Sequence, residues 1–175
     1  MKAVLISIRP KWVEKITRGE KTLEVRKTRP KLETPFKCYI YCTGVKRSPL
    51  GEYVEVHRKT GGAVDEWQEK VMGEFTCDRI YGLAPLNHAP DDVERQACLT
   101  REEIVRYLKG VGYGWHISEL KIYDTPKELI EFHTWKKCKS CSKSGYESTA
   151  CIYDENCMVP AAITKAPQSW CYVEG

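Results

Sequence analysis

The alternation of apolar and polar residues predicts most of the elements of this chain. Val4, Ile6 and Ile8 fall on one side of a short strand over Ala3–Ile8. Pro10 then suits the first turn of a helix, Trp12, Val13 and Ile16 form its apolar stripe, and Gly19 stops it. From Lys21 to Lys27 the period returns to two, with Leu23 and Val25 on one face and Thr22, Glu24 and Arg26 on the other. Phe36–Thr43 is a β run with Phe36, Cys38, Ile40 and Cys42 on one face. Tyr53–Arg58 and Ala63–Phe75 flank Gly61-Gly62, which predicts a hairpin or an open tip, and Glu74–Leu83 predicts a further strand.

Helical signals follow. Thr100-Arg101-Glu102-Glu103 is a capping box with Ile104, Val105 and Leu108 behind it and Gly110 after it. Trp115–Tyr123 is extended. Thr125-Pro126-Lys127-Glu128 is a second capping box, followed by Leu129, Ile130 and Phe132, and Ser169–Glu174 closes the chain as a strand. Short strands between turns, without βαβ repeats, predict an α+β fold: a mostly antiparallel, partly closed β-barrel with a few helices at its edge.

Composition narrows the class. The chain has 175 residues, 42% hydrophobic and 30% charged, which fits one globular domain with an attachment. It has no apolar run of the ~18 residues a membrane span needs, and the first ten residues carry no signal-peptide pattern. Overall charge is 28 − 24 = +4. Residues 1–37 hold 11 basic and 4 acidic groups, or +7, so the remainder is −3. That asymmetry points to a surface that meets anions, RNA or DNA first among them, or else to a solvated basic face.

Nine cysteines, an odd number, predict a reducing, cytoplasmic setting. Cys38, Cys42, Cys77 and Cys98 read as ordinary buried thiols. Cys138-x-x-Cys141, then Cys151 and Cys157, place four thiols within 20 residues. A Cys-x-x-Cys turn brings two thiolates to one metal, so the segment predicts a structural Zn²⁺ site. Lys136, Lys137, Lys139 and Lys143 would offset its charge, and His133 and Cys171 are substitute ligands. Disordered reduced thiols, or a disulfide formed after purification, are the other readings. The chain divides into residues 1–132 as the barrel, 133–166 as the Cys-rich segment and 167–175 as its closing strand.

The densest chemistry is Gly19-Glu20-Lys21-Thr22-Leu23-Glu24-Val25-Arg26. In a regular strand Glu24 and Arg26 share a face, with Lys21 at its mouth. Lys21 and Arg26 suit a phosphate or carbonyl oxygen, and Glu24 suits an exocyclic amine or a proton transfer. A surface ion-pair ladder is the plain alternative. Gly110-Val111-Gly112-Tyr113-Gly114 follows a helix and precedes a strand, the wrong context for a nucleotide loop. Of the four histidines, His116 beside Trp115 is the one of interest.

Ser7-Ile8-Arg9-Pro10, Ile16 and Gly19-x-Lys21-x-x-Glu24-x-Arg26 resemble the signature of ASCH domains. Gly73-Glu74-Phe75 and Trp115-His116-Ile117-Ser118 resemble later strands of that family, and the likeness spans about residues 1–132 and 167–174. It implies a PUA-like barrel whose cleft, beside the first helix, takes RNA or a nucleoside and is lined by Lys21, Glu24 and Arg26. Some members hydrolyse the amide of N4-acetylcytidine with a Lys, a Thr and a Glu. Lys21 matches the Lys, Glu24 stands where the Thr falls, and Glu94 or Arg95 lies near the place of the Glu.

Three readings of function follow. One is a binding module in which Arg9, Lys11 and Lys27, with Lys15, Arg18, Arg29 and Lys31, hold an RNA backbone and Tyr39, Tyr41 or Trp67 offers stacking. Another is a small amidohydrolase or ribonuclease using Lys21 and Glu24. A protein-binding role for the Cys-rich segment is a third.

Overall fold

The computed structural model describes residues 2–44, 64–83, 89–137 and 158–175. In chain order the elements are β1 (Lys2–Ile8), α1 (Pro10–Thr17), β2 (Leu23–Arg26), β3 (Phe36–Cys42), α2 (Val64–Trp67), β4 (Val71–Cys77), β5 (Ile80–Gly82), α3 (Val93–Ala97), α4 (Arg101–Leu108), β6 (Tyr113–His116), β7 (Ser118–Lys127), β8 (His133–Lys137), β9 (Met158–Ala162) and β10 (Trp170–Glu174). The fold is α+β, mostly strand with a few helices. A five-stranded sheet runs β10-β1-β3-β4-β7, a three-stranded sheet runs β2-β6-β5, and β8 pairs with β9 as a separate ribbon. Among the described residues the sheets pack around a common core without closing.

Every described strand pair is antiparallel except β1 with β3, which run parallel from Val4↔Cys38 to Ile8↔Cys42. The helix α1 and strand β2 form the crossover that a parallel pair requires. Thus the first helix and the charged strand lie together against one end of the main sheet. The alternating residues of β1 and β3 sort as their period predicts. Val4, Ile6, Ile8, Phe36, Cys38, Ile40 and Cys42 enter the main core with the fully buried Trp115. Ala3, Leu5, Tyr39 and Tyr41 enter a second core behind the sheet with Val71, Phe132 and Ile163. β10 closes the edge of β1, pairing Ala3 with Val173 and Leu5 with Cys171. Its Trp170 ring packs 5.9 Å from Trp115, and its indole N–H donates to the Thr28 hydroxyl at 3.0 Å.

Three local expectations are revised. Val64–Trp67 is a short helix, not part of a strand, while Tyr53–Arg58 and Gly61-Gly62 lie outside the described residues. The stretch Glu74–Leu83 breaks into β4 and β5 at Asp78 and Arg79, because β4 pairs with β3 and β5 with β6. The box predicted at Thr125 does not form, since β7 continues through Pro126 to pair Lys127 with Val71. A 3₁₀ turn, Leu129–Glu131, starts three residues later with Glu128 and Glu131 capping each other. The Thr100 box is present, with Glu103 N–H donating to the Thr100 hydroxyl and Thr100 N–H to the Glu103 carboxylate. Among the described residues no helix is long and apolar enough to cross a membrane.

Candidate functional site

The site begins where α1 ends. Gly19 takes a left-handed φ of +71°, a conformation that suits a residue without a Cβ. The amides of Glu20 and Lys21 then both donate to the Lys15 carbonyl, at 2.9 and 3.1 Å, which folds the chain sharply into β2. Leu23 and Val25 pack into a third apolar cluster with Leu83, Val93, Ala97, Ile104 and Leu108. The pleat therefore sends Glu24 and Arg26 to the opposite face. There Glu24 Oε1 accepts from Arg26 Nη2 at 3.0 Å, and Glu24 Oε2 lies 3.4 Å from Lys21 Nζ.

These three charges are buried: Lys21 is 2%, Glu24 6% and Arg26 7% exposed. Each is paired, which is what burial of charge requires. Lys21 Nζ donates to the carbonyls of Leu23 (2.7 Å) and Ala97 (2.8 Å). Its three protons are thus matched by two carbonyls and Glu24. Burial lowers its pKa, and the Glu24 charge opposes that shift. Arg26 donates from Nη2 to the Ser7 carbonyl (2.6 Å) and from Nη1 to the Ser169 hydroxyl (3.2 Å) and carbonyl (3.4 Å). Its Nε–H is buried without a partner among the described residues. Arg26 therefore ties β2 to β1 and to the start of β10, a tie reinforced by the Ser7 hydroxyl donating to the Pro167 carbonyl at 2.7 Å.

Over this floor lies a cleft of about 800 Å³. Trp12 from α1 and Tyr107 from α4 are its aromatic walls, Arg9 and Lys11 sit at its mouth, and Pro167 and Gln168 close one side. Cations lean on both rings: Lys11 and Lys21 lie 4.7 and 5.2 Å from the Trp12 centroid, and Lys27 lies 5.3 Å from that of Tyr107. A planar ligand with a donor edge and an anionic tail matches these walls, the Glu24 carboxylate and the cationic mouth.

No family model matches the chain, and no curated protein matches it. Solved structures do. An ASCH protein from Zymomonas mobilis superposes with a TM-score of 0.54 at 15% identity, covering 98% of this chain and 87% of that one. Two mutant forms of the same protein superpose at 0.56, also at 15% identity, one covering 99% of this chain and 91% of its own. The fold is ASCH-like. At that identity the likeness concerns the fold alone, and the chemistry rests on this chain's own residues.

Within the ASCH-like fold, the predicted basic strip is not one surface. Arg9 and Lys11 reach the cleft and Lys27 reaches its Tyr107 wall. Lys15 pairs with Glu20 and Arg18 with Glu14 around the C-terminal end of α1. Arg29 and Lys31 line a separate hollow beside Ile80, with Arg29 also over the Tyr113 ring. The predicted stacking residues are elsewhere: Tyr39 and Tyr41 are in the second core, with Tyr39 edge-on to Phe132, and Trp67 packs against the main core. The rings that do line the cleft, Trp12 and Tyr107, were legible only as members of helices. Neither Glu94 nor Arg95 lines the cleft. Glu94 accepts from the Arg101 amide at 2.8 Å, and Arg95 pairs with Asp92. Glu103 is the acidic residue at that wall, already holding the Thr100 amide.

His116 lies outside the cleft and contacts Asp78 through Nδ1 at 2.6 Å. Burial pushes the Asp78 carboxyl up, but the His116 contact, a backbone hydrogen bond and the Arg79 charge together hold it below its ordinary value. Cys38, Cys42 and Cys77 are buried as expected, whereas Cys98 is half-buried, its thiol donating to the Glu20 carbonyl at 3.3 Å. The predicted zinc ligands Cys138, Cys141, Cys151 and Cys157 lie outside the described residues. Of the substitutes, His133 sits opposite Ala162 in the ribbon and Cys171 opposite Leu5 in β10. Among the described residues no three His, Cys, Asp or Glu side chains cluster to hold a metal.

Proposed function

We propose that this protein binds RNA or a single nucleoside, modified or not, in the cleft above Lys21, Glu24 and Arg26. The observation that carries the reading is the combination of a buried, mutually paired ion triad with two aromatic walls and a cationic mouth. The triad is an inflexible floor. Each Glu24 oxygen keeps a lone pair for a donor such as an exocyclic amine. Trp12 and Tyr107 offer faces for a base, and Arg9, Lys11 and Lys27 offer charge to a phosphate. Titrating labelled single-stranded RNA and nucleoside monophosphates into the full chain tests this. Tyr107→Ala should weaken binding by ~1–3 kcal/mol, the scale of one base stacked on a ring. Lys27→Ala should cost less, and its effect should fade with salt. Equal losses from both would mean general charge attraction instead.

A second reading, amide or RNA hydrolysis, is favoured by one observation: a desolvated lysine 3.4 Å from a carboxylate on the floor of a cleft. Lys21 would have to release a proton and one of its carbonyl partners before acting as nucleophile or base. Glu24, standing where the threonine falls in those ASCH-family members that hydrolyse N4-acetylcytidine, would then carry the proton. Turnover of N4-acetylcytidine or cleavage of labelled RNA by the parent chain, lost in a Lys21→Ala variant shown to be folded, supports it, and absence of both activities in the parent chain removes it.

We further propose that Cys138, Cys141, Cys151 and Cys157 bind one structural Zn²⁺. The warrant is their spacing, together with the pairing of Lys137 with Met158, which holds the two ends of the segment side by side.

A further inference from the structure

We propose that the β8–β9 ribbon is a second nucleic-acid surface, so that the ligand of this chain is a single-stranded oligonucleotide rather than a free nucleoside. The ribbon is rooted at its base. Phe132 and Ile163 are buried in the second core, and the Ile163 amide donates to the Phe132 carbonyl at 2.8 Å. Away from that root the burial stops. Trp135 is 47%, Met158 44% and Val159 37% exposed.

The register says which of these share a face. Residues directly opposite in an antiparallel pair point the same way, so Trp135 with Pro160 and Lys137 with Met158 form one surface. Lys136 and Val159 form the other. An indole flanked by a proline and by the stem of a lysine is a flat platform with a cation at its edge. The ribbon's own charge is of one sign, although Glu131 and Glu174 belong to the elements that pack against it. Among the described residues 133–137 and 158–165 there are three lysines, Lys136, Lys137 and Lys165, and no aspartate or glutamate. Exposed tryptophan beside lysines on a ribbon that itself carries no carboxylate suits a polyanion with stackable rings, because the ring takes a base and the ammonium groups take phosphates. A second copy of the chain would bring the same positive charge to that face and be repelled.

Continuity with the cleft supports the same partner. The chain leaves β9 at Ala162 and reaches Pro167, a cleft-lining residue, within five residues. That stretch spans at most ~18 Å fully extended. One strand of RNA crossing from the cleft to the ribbon would meet only Lys165 as a charged group on this connection. The proposal rests on the cleft reading for the strand's other end, and the experiment separates the two.

The probe is a fluorescein-labelled single-stranded RNA of about twelve nucleotides, within the span such surfaces cover, beside a mixture of the four nucleoside 5′-monophosphates. Trp135→Ala in the full chain should lower oligonucleotide affinity about fivefold or more. It should leave monophosphate binding unchanged, and Trp135→Phe should retain most of the affinity. Tyr107→Ala should lower both. If Trp135→Ala does not fold, Lys137→Glu reads the same surface and should weaken only the oligonucleotide. Oligonucleotide binding that is sensitive to Trp135 without any monophosphate binding sinks the cleft reading and leaves the ribbon standing. The ribbon proposal is overturned by an oligonucleotide affinity that ignores both Trp135 and Lys137, by no oligonucleotide binding at all, or by a concentration-dependent dimer that Trp135→Ala abolishes.

Discussion

Replacing Lys21 with methionine isolates the ion triad from the packing around it. Methionine keeps most of the aliphatic stem, so the cavity term is small. What disappears is an ammonium donating to the carbonyls of Leu23 and Ala97 and facing Glu24 at 3.4 Å. The Ala97 carbonyl ends α3, 76 residues along the chain from Lys21, so this bond also fastens that helix to β2. A buried acceptor stripped of its partner costs about 1–3 kcal/mol, and breaking one side of a buried ion pair costs about 3–5 kcal/mol. These overlap, and relief of the buried ammonium offsets part of them, so the expected loss is about 3–4 kcal/mol. Urea unfolding followed by tryptophan fluorescence measures it. Lys15→Met is the control, because its partner Glu20 is exposed and the midpoint should barely move. A Lys21→Met loss no larger than the Lys15→Met loss would refute the reasoning, since Lys21 would then be a solvated surface charge. A large loss also warns that inactivity of a Lys21 variant does not by itself prove catalysis.

Other outcomes follow from the same geometry. Burial holds the Cys42 thiol up at about 12 against an ordinary 9. Its raised folded pKa means that the protonated thiol favours the folded state below pH 9 and that this contribution is lost as pH rises from there toward 12. Unfolding midpoints should therefore fall between pH 9 and pH 10.5, by about 2 kcal/mol for this one group, and a Cys42→Ala variant should show a shallower fall. Truncation after Ser169 removes β10, bares the β1 edge and takes Trp170 from Trp115, so the product should be insoluble; amide exchange across Trp170–Glu174 as fast as in an unstructured peptide would argue against this pairing. Elemental analysis of chain purified without chelator should find about one zinc per molecule, and a metal-free result would remove the Cys-rich site.

Several features are decided within a few residues and are legible for that reason. The shared face of Glu24 and Arg26 follows from the pleat, which reverses at every residue and leaves no freedom once Leu23 and Val25 are committed to the core. The Thr100 box follows from hydrogen bonds that close over three residues. The stop at Gly19 follows from a backbone angle that disfavours a side chain. By contrast, the partners that turn three charges into a site come from far away: Ala97 for Lys21, Ser7 and Ser169 for Arg26. No periodicity carries a contact across 143 residues, because periodicity reports which way a side chain points and not what it meets. The parallel pairing of β1 with β3 is of the same kind, and it sends Tyr39 and Tyr41 into the second core while Trp12 and Tyr107 face the cleft. Local signals also lose when the sheet outbids them, as at Thr125, where pairing of β7 with β4 carries the strand past a helix start. Sequence alone determined which residues bear the charge and which face of the strand they share. Tertiary packing decided their partners, because burial of Lys21, Glu24 and Arg26 is tolerable only where distant carbonyls converge to satisfy them.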